Sequence, residues 1–211
     1  MAFEETRVRT FEESLYVRAR AWRGIIVRPA VLFFSAIGIS ADLMSYIGLG
    51  LVFLSVSFMS TQITTALVIL LIALFADNLD GEIARYRGTA SDKGKFTDVV
   101  VDNVTFTVFM LGMAYAGFVS GFLAGIVVYA MLLCRTFMVI KKNVTKESDW
   151  LIKAYAGFFP NFFVYVLYAG FFLLALGYGN IVPLIAAISA TALSIKALVD
   201  FRTIKKTVFT R

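Results

Sequence analysis

Apolar residues along this chain come in six long stretches, roughly Leu43–Met59, Ile63–Tyr86, Phe96–Phe118, Phe122–Ile140, Ala154–Leu176 and Ile181–Phe201. Each is close to the ~20 residues that a helix needs to cross the hydrocarbon core of a bilayer. The segments between them alternate in character. Ser60–Gln62, Val119–Gly121 and Gly177–Asn180 are short and uncharged, whereas Arg87–Lys95 and Lys141–Lys153 are charged and basic. All 20 Lys and Arg fall in four groups, Arg7–Arg28, Arg85–Lys95, Arg135–Lys153 and Lys196–Arg211. An even number of spans puts all four groups on one side, and the positive-inside bias makes that side cytoplasmic. Ahead of the first stretch, Phe3–Arg23 mixes Phe11, Leu15, Val17 and Trp22 with Arg and Glu, the pattern of a helix lying on the membrane surface. The run Ala30–Ile39, beyond Arg28 and Pro29, is too short to span and suits the interface as well. The expected fold is an all-α integral membrane protein, six transmembrane helices preceded by an N-terminal amphipathic interfacial helix. Residues 1–40 form the interfacial segment and 41–211 the transmembrane domain, with both termini cytoplasmic in a multi-pass protein of a prokaryotic cytoplasmic membrane.

Composition agrees. Hydrophobic residues make up 60% of the chain and mean hydropathy is +0.83, above the roughly 45–50% apolar share of soluble domains. The net charge of +6 is divided by long uncharged stretches. It offers no continuous basic face for nucleic acid. The first 28 residues hold four Glu and six Arg without a long apolar core, unlike a cleavable leader. Cys134 is the single cysteine and sits in an apolar run, which excludes a disulfide within the chain. Asn143-Val-Thr145 and Asn103-Val-Thr105 fit the glycosylation pattern, but the first is expected in the cytoplasm and the second inside a span. Histidine is absent, so acid–base and metal chemistry fall to carboxylates.

Four such carboxylates stand out. The stretch from Phe75 to Asn103 holds Asp77, Asp80, Asp98 and Asp102 within or beside the second and third spans. Membrane-embedded carboxylates cost a few kcal/mol each on insertion scales, and four together repel one another. Asp77 and Asp80 are i, i+3 and Asp98 and Asp102 are i, i+4, so each pair shares a helix face. A short loop makes the two helices antiparallel neighbours, and the four groups can converge at the cytoplasmic end. A site of oxygens alone, with no His or Cys, suits Mg²⁺ or Mn²⁺, and four carboxylates support two such ions better than one. Gly81 and Ala84 leave room for close approach by a helix or a flat ligand. Arg85 brings a permanent cation suited to phosphate, and Gly94 lies where a bulky side chain would block the site.

The pattern Asp77-x2-Asp80-Gly81-x2-Ala84-Arg85-x8-Gly94-x3-Asp98-x3-Asp102 resembles the signature of the CDP-alcohol phosphotransferase family. The resemblance covers about 26 residues at motif level, and the six-span layout extends it over nearly the whole chain. It implies that Asp77, Asp80 and Asp98 bind two divalent cations and that Asp102, at the edge of the cluster, is the general base. The acceptor hydroxyl would attack the β-phosphorus of a CDP-activated donor and release CMP, with the diphosphate bridged by metals. Gly81 and Ala84 would make room for cytidine and Arg85 would hold donor phosphate. The resemblance also implies a homodimer. The chain departs from the family at the start of the first span, where a Pro-Asn pair is common and Asp42 stands instead. Asp42 suits either a hydrogen bond from the cytosine amino group or a helix cap.

For the acceptor, Arg135 near the cytoplasmic end of the fourth span, and Lys196 and Arg202 near that of the sixth, are candidate phosphate ligands. Snorkelling anchors are the alternative for these three. The expected reaction is transfer of a phosphatidyl-type group from a CDP-lipid, such as CDP-diacylglycerol or CDP-archaeol, to a polar alcohol of the glycerol phosphate, inositol phosphate or serine type. Transfer from a small CDP-alcohol to a lipid acceptor is the alternative polarity. A membrane cation transporter is the alternative class, and it predicts acids strung along a path to the far side. Here they gather at one face.

Overall fold

The computed structural model describes residues 27–145 and 149–209, with the side chains of 92, 93, 95, 141–158, 208 and 209 left aside. The surface helix expected over Phe3–Arg23 lies outside the described residues. Every element among them is helical. Helix α1 covers Val27–Ala36, followed by α2 (Ala41–Phe58), α3 (Ile63–Tyr86), α4 (Asp92–Tyr115), α5 (Gly121–Thr145), α6 (Asp149–Ala175) and α7 (Val182–Phe209). Five of these, α2, α3, α4, α5 and α7, are long and apolar enough to cross a membrane. In α6 the apolar stretch Phe159–Ala175 is shorter. The protein is thus a multi-pass membrane protein built of helices. Exposed large side chains such as Phe53, Leu71, Leu111, Phe122, Tyr165 and Leu184 give its flanks an apolar surface suited to lipid.

The helix ends follow local chemistry. Ser40 caps α2 by accepting from Leu43 N at 3.2 Å, and Ser91 caps α4 by accepting from Gly94 N at 3.1 Å. At the end of α3 the chain turns through Gly88, whose φ of 66° is left-handed. Thr89 N then donates to Ala84 O at 2.9 Å, closing the last turn. That turn lets α4 begin close to where α3 stops, which brings the acidic residues of the two helices to one end of the bundle.

Several helices overrun the apolar stretches. α5, α6 and α7 extend into the charged segments, so Lys141–Lys153 is largely helical rather than a loop. Backbone hydrogen bonding does not stop where hydropathy does. α2 packs along both α3 and α4. α5 and α7 form the other tight pair, and α6 closes against α3, α5 and α7. The main core runs through Val52, Leu70, Phe109, Met113, Leu167 and Leu193. A second cluster at the charged end joins Val27 and Val31 of α1 to Met44 of α2 and to Ala76, Leu79 and Ile83 of α3. Arg87 ties the same region down by donating to Ser35 O of α1 at 2.7 Å.

Candidate metal centre

Asp77 near the end of α3 meets Asp98 and Asp102 of the first turns of α4. One carboxylate oxygen from each lies within 4.8 Å of the other two, a spacing that one or more metal ions can bridge. Asp77 and Asp102 are half-buried and Asp98 is exposed, so the cluster opens at the charged end of the bundle. Oxygen donors alone, with no softer ligand, fit a hard divalent cation such as Mg²⁺ or Mn²⁺. A divalent cation would offset the Coulomb repulsion among three carboxylates this close in a poorly solvated site.

Asp80 behaves differently from the other three. It is 6% exposed, and its oxygens accept from Ser45 Oγ of α2 at 2.5 Å and from the backbone N–H of Gly81. Three residues of helix rotate a side chain by about 60°. That is enough to turn Asp80 toward α2 while Asp77 faces α4. The fourth aspartate therefore lines the site from the side, outside the tight group of three.

The remaining sequence candidates fall into place unevenly. A Cβ on Gly81 would meet the Arg85 guanidinium at 3.3–3.7 Å, so Arg85 lies folded over Gly81. Arg85 pairs with Glu82 at 2.6 Å and has a 43% exposed side chain, which places a partly solvated cation beside the cluster. Ala84 is half-buried one turn from Asp80. A Cβ on Gly94 would meet only Ser91 Oγ, at 3.5 Å. Asp42 sits in the first turn of α2, where the helix dipole favours it, but the capping role belongs to Ser40.

Among the basic candidates, Arg135 of α5 is drawn into the site. It is within electrostatic range of Asp98 and Asp102, and its guanidinium donates to Asn103 Oδ1 of α4 and, at 3.1 Å, to Asn161 Oδ1 of α6. Lys196 instead directs its ammonium to the buried Asp200 one turn along α7, near Cys134. Arg202 is exposed on the same helix. Tyr168 of α6, packed edge-on against Phe109 with centroids 4.7 Å apart, comes within electrostatic range of Asp77, Asp102 and Arg135. Ser45, Asn103, Asn161 and Tyr168 escaped the sequence reading. Only Asn103, beside Asp102, and Asn161, a polar residue in an apolar span, carry a signal that could have found them.

A family model described as CDP-alcohol phosphatidyltransferase matches residues 38–195, which contain the three converging aspartates, Asp80 and Arg135. A relative from Aquifex aeolicus (strain VF5), described as an uncharacterized protein, is 30% identical over 128 residues. The match takes in 58% of this chain and 63% of the relative, so the chain spans less than two thirds of that protein's length.

Proposed function

The chain belongs to the CDP-alcohol phosphatidyltransferase family, and from that premise we propose that it moves a phosphatidyl-type group from a CDP-lipid to a polar alcohol with release of CMP. The observation that carries this reading is the convergence of Asp77, Asp98 and Asp102 from two helices at one end of the bundle. Residues 41–211 are the catalytic membrane domain, and α6 is the fifth of its six spans. Residues 1–40 lie at the interface, and the acidic end faces a prokaryotic cytoplasm. The family resemblance supports a homodimer.

Asp77, Asp98 and Asp102 hold two divalent cations, Mg²⁺ or Mn²⁺, with Asp80 as the fourth ligand. Each Asp80 oxygen accepts one hydrogen bond and keeps a second lone pair for an ion. Ions bound there supply Lewis-acid polarisation of the donor's diphosphate. Gly81 and Ala84 leave the face beside the metals open for cytidine, with Asp42 at its edge. Arg85 exchanges Glu82 for donor phosphate, a small loss because an exposed ion pair is worth about 0–1 kcal/mol. Asp102 takes the proton of the acceptor hydroxyl as that oxygen attacks the β-phosphorus and CMP leaves. With histidine absent, a carboxylate is the available base at this position.

Purified protein incubated with CDP-diacylglycerol or CDP-archaeol, Mg²⁺ or Mn²⁺, and a panel of polar alcohols is expected to release CMP in step with new phospholipid. Asp102→Asn is expected to fold, to bind metal and CDP-lipid, and to lose about 10²–10⁴ in turnover. Near-normal turnover in that variant removes Asp102 as the base. CMP formed only from a small CDP-alcohol and a lipid acceptor reverses the substrate polarity. Cation flux through liposomes without CMP release from any donor replaces the enzyme with a transporter.

A further inference from the structure

Thr105 of α4 lies three residues beyond Asp102, inside the apolar part of the helix. A threonine in a helix commonly turns its hydroxyl back to the carbonyl four residues earlier. Thr107, Thr191, Thr203 and Thr207 all do so, at 2.8–3.0 Å. Thr105 instead lines a small cavity between α2, α3 and α4, together with Ser45 and Gly48 of α2 and Ala73 and Asp77 of α3. The cavity has a volume of about 10 Å³, close to the least that one water molecule needs.

The polar groups around this cavity are complementary to a water. Ser45 directs its proton to Asp80 Oδ2 at 2.5 Å, so Ser45 Oγ keeps a lone pair with which to accept. Asp77, as a carboxylate, can only accept. The Thr105 hydroxyl is the group of the three that has a proton to give. A water between them accepts from Thr105 and donates to Asp77 and to Ser45. That makes three hydrogen bonds, the usual number for a buried water. Small residues provide the room. An added Cβ on Gly48 would stand 3.4 Å from Ala73 O and 3.7 Å from Asp77 N.

We propose that this cavity is a water site behind the metal centre, and that Thr105 is a positioning residue that orients Asp77 through that water. The proposal rests on the reading of Asp77 as a metal ligand. The same water joins Asp77 to Ser45 and through it to Asp80. One network, anchored on α2 and α4, then sets the direction of both α3 carboxylates. Partners of this outer kind commonly govern how tightly a site holds its metal.

The test is divalent-cation binding by the full-length protein in detergent micelles, without substrate, read by thermal shift across a titration of Mn²⁺. Thr105→Val keeps the shape of the side chain and removes its hydroxyl. Gly48→Ala keeps every polar group and places a methyl in the space of the water. Each is expected to raise the Mn²⁺ midpoint about 10- to 100-fold, and Thr105→Ser is expected to restore it. The double variant is expected to lie no higher than the worse single one, because both changes remove the same water. A wild-type midpoint in either single variant overturns the proposal. So does a melting temperature lowered under chelation with the midpoint unchanged, because Thr105 then only packs. Additive shifts in the double variant overturn the shared water. Where Thr105→Val does not fold, Thr105→Ala takes its place in the same comparison. Absence of any Mn²⁺ stabilisation in the wild type overturns the metal-centre reading together with the proposal, whereas stabilisation that the variants leave unmoved overturns the proposal alone.

Discussion

Asp77 and Asp80 are one helical turn apart on α3 and yet have different partners, Asp77 meeting α4 and Asp80 meeting Ser45 of α2. The Ser45 hydroxyl fixes the orientation of a carboxylate that is 6% exposed, which is how outer residues commonly tune a metal ligand. Ser45→Ala is therefore expected to raise the divalent-cation concentration for half-maximal stabilisation about 10- to 100-fold, read by thermal shift of the purified protein. An unchanged midpoint would show that Asp80 needs no help from α2. The convergence of Asp77, Asp98 and Asp102 was legible from spacing, since i, i+3 and i, i+4 carboxylates on successive apolar stretches share helix faces. Ser45 and Asn161 were not. Each reaches the site from another helix, and which helices touch is decided by packing that local periodicity does not encode. Lys196 pairs with Asp200 one turn along α7, an i, i+4 spacing that the sequence itself offers.

At the scale of elements, α2 packs along the two helices that carry the aspartates. Gly48 of α2 lies against α3, where an added Cβ would stand 3.4 Å from Ala73 O and 3.7 Å from Asp77 N. Gly112 of α4 is tighter still, with Val56 of α2 only 2.6 Å from the place of a Cβ. Gly112→Ala must push α2 and α4 apart, and the expected cost is about 1–3 kcal/mol. Thermal unfolding in detergent measures it, and an unchanged melting point would mean that α4 can slide without loss. The helices themselves were readable from hydropathy, and α3 begins and ends where the apolar pattern predicts. The expectation that carboxylates of α3 and α4 converge holds for Asp77, Asp98 and Asp102, and α2 packs along both helices. With α3 and α4 each resting on α2, Asp77 of α3 meets Asp98 and Asp102 of α4 at a spacing that could hold a metal ion.

For the whole molecule, the aspartates and the basic clusters of the sequence fall on the same side of the six apolar stretches, and the uncharged turns on the other. That asymmetry is the one expected of a site facing the cytoplasm. In a Cys134→Ala background, single cysteines at Thr61 or Tyr178 are expected to react with an impermeant maleimide on intact cells, and one at Thr89 only after lysis. Labelling of the Thr89 position in intact cells would invert the topology. Fold class and charge asymmetry were visible in the sequence because lipid imposes them on every span. The depth at which each side chain sits was not, since it depends on how the spans lean on one another.

The proposed function requires above all that the aspartates at the charged end form a metal-dependent centre for transfer from a CDP-lipid. Its most direct test is CMP release from CDP-lipid by the purified protein across a titration of Mg²⁺ or Mn²⁺, with Asp77→Asn run in parallel. The account predicts release that is absent under chelation, saturates with the divalent cation, and falls by about 10²-fold or more in the variant. CMP release that persists under chelation, or that Asp77→Asn leaves intact, would contradict it.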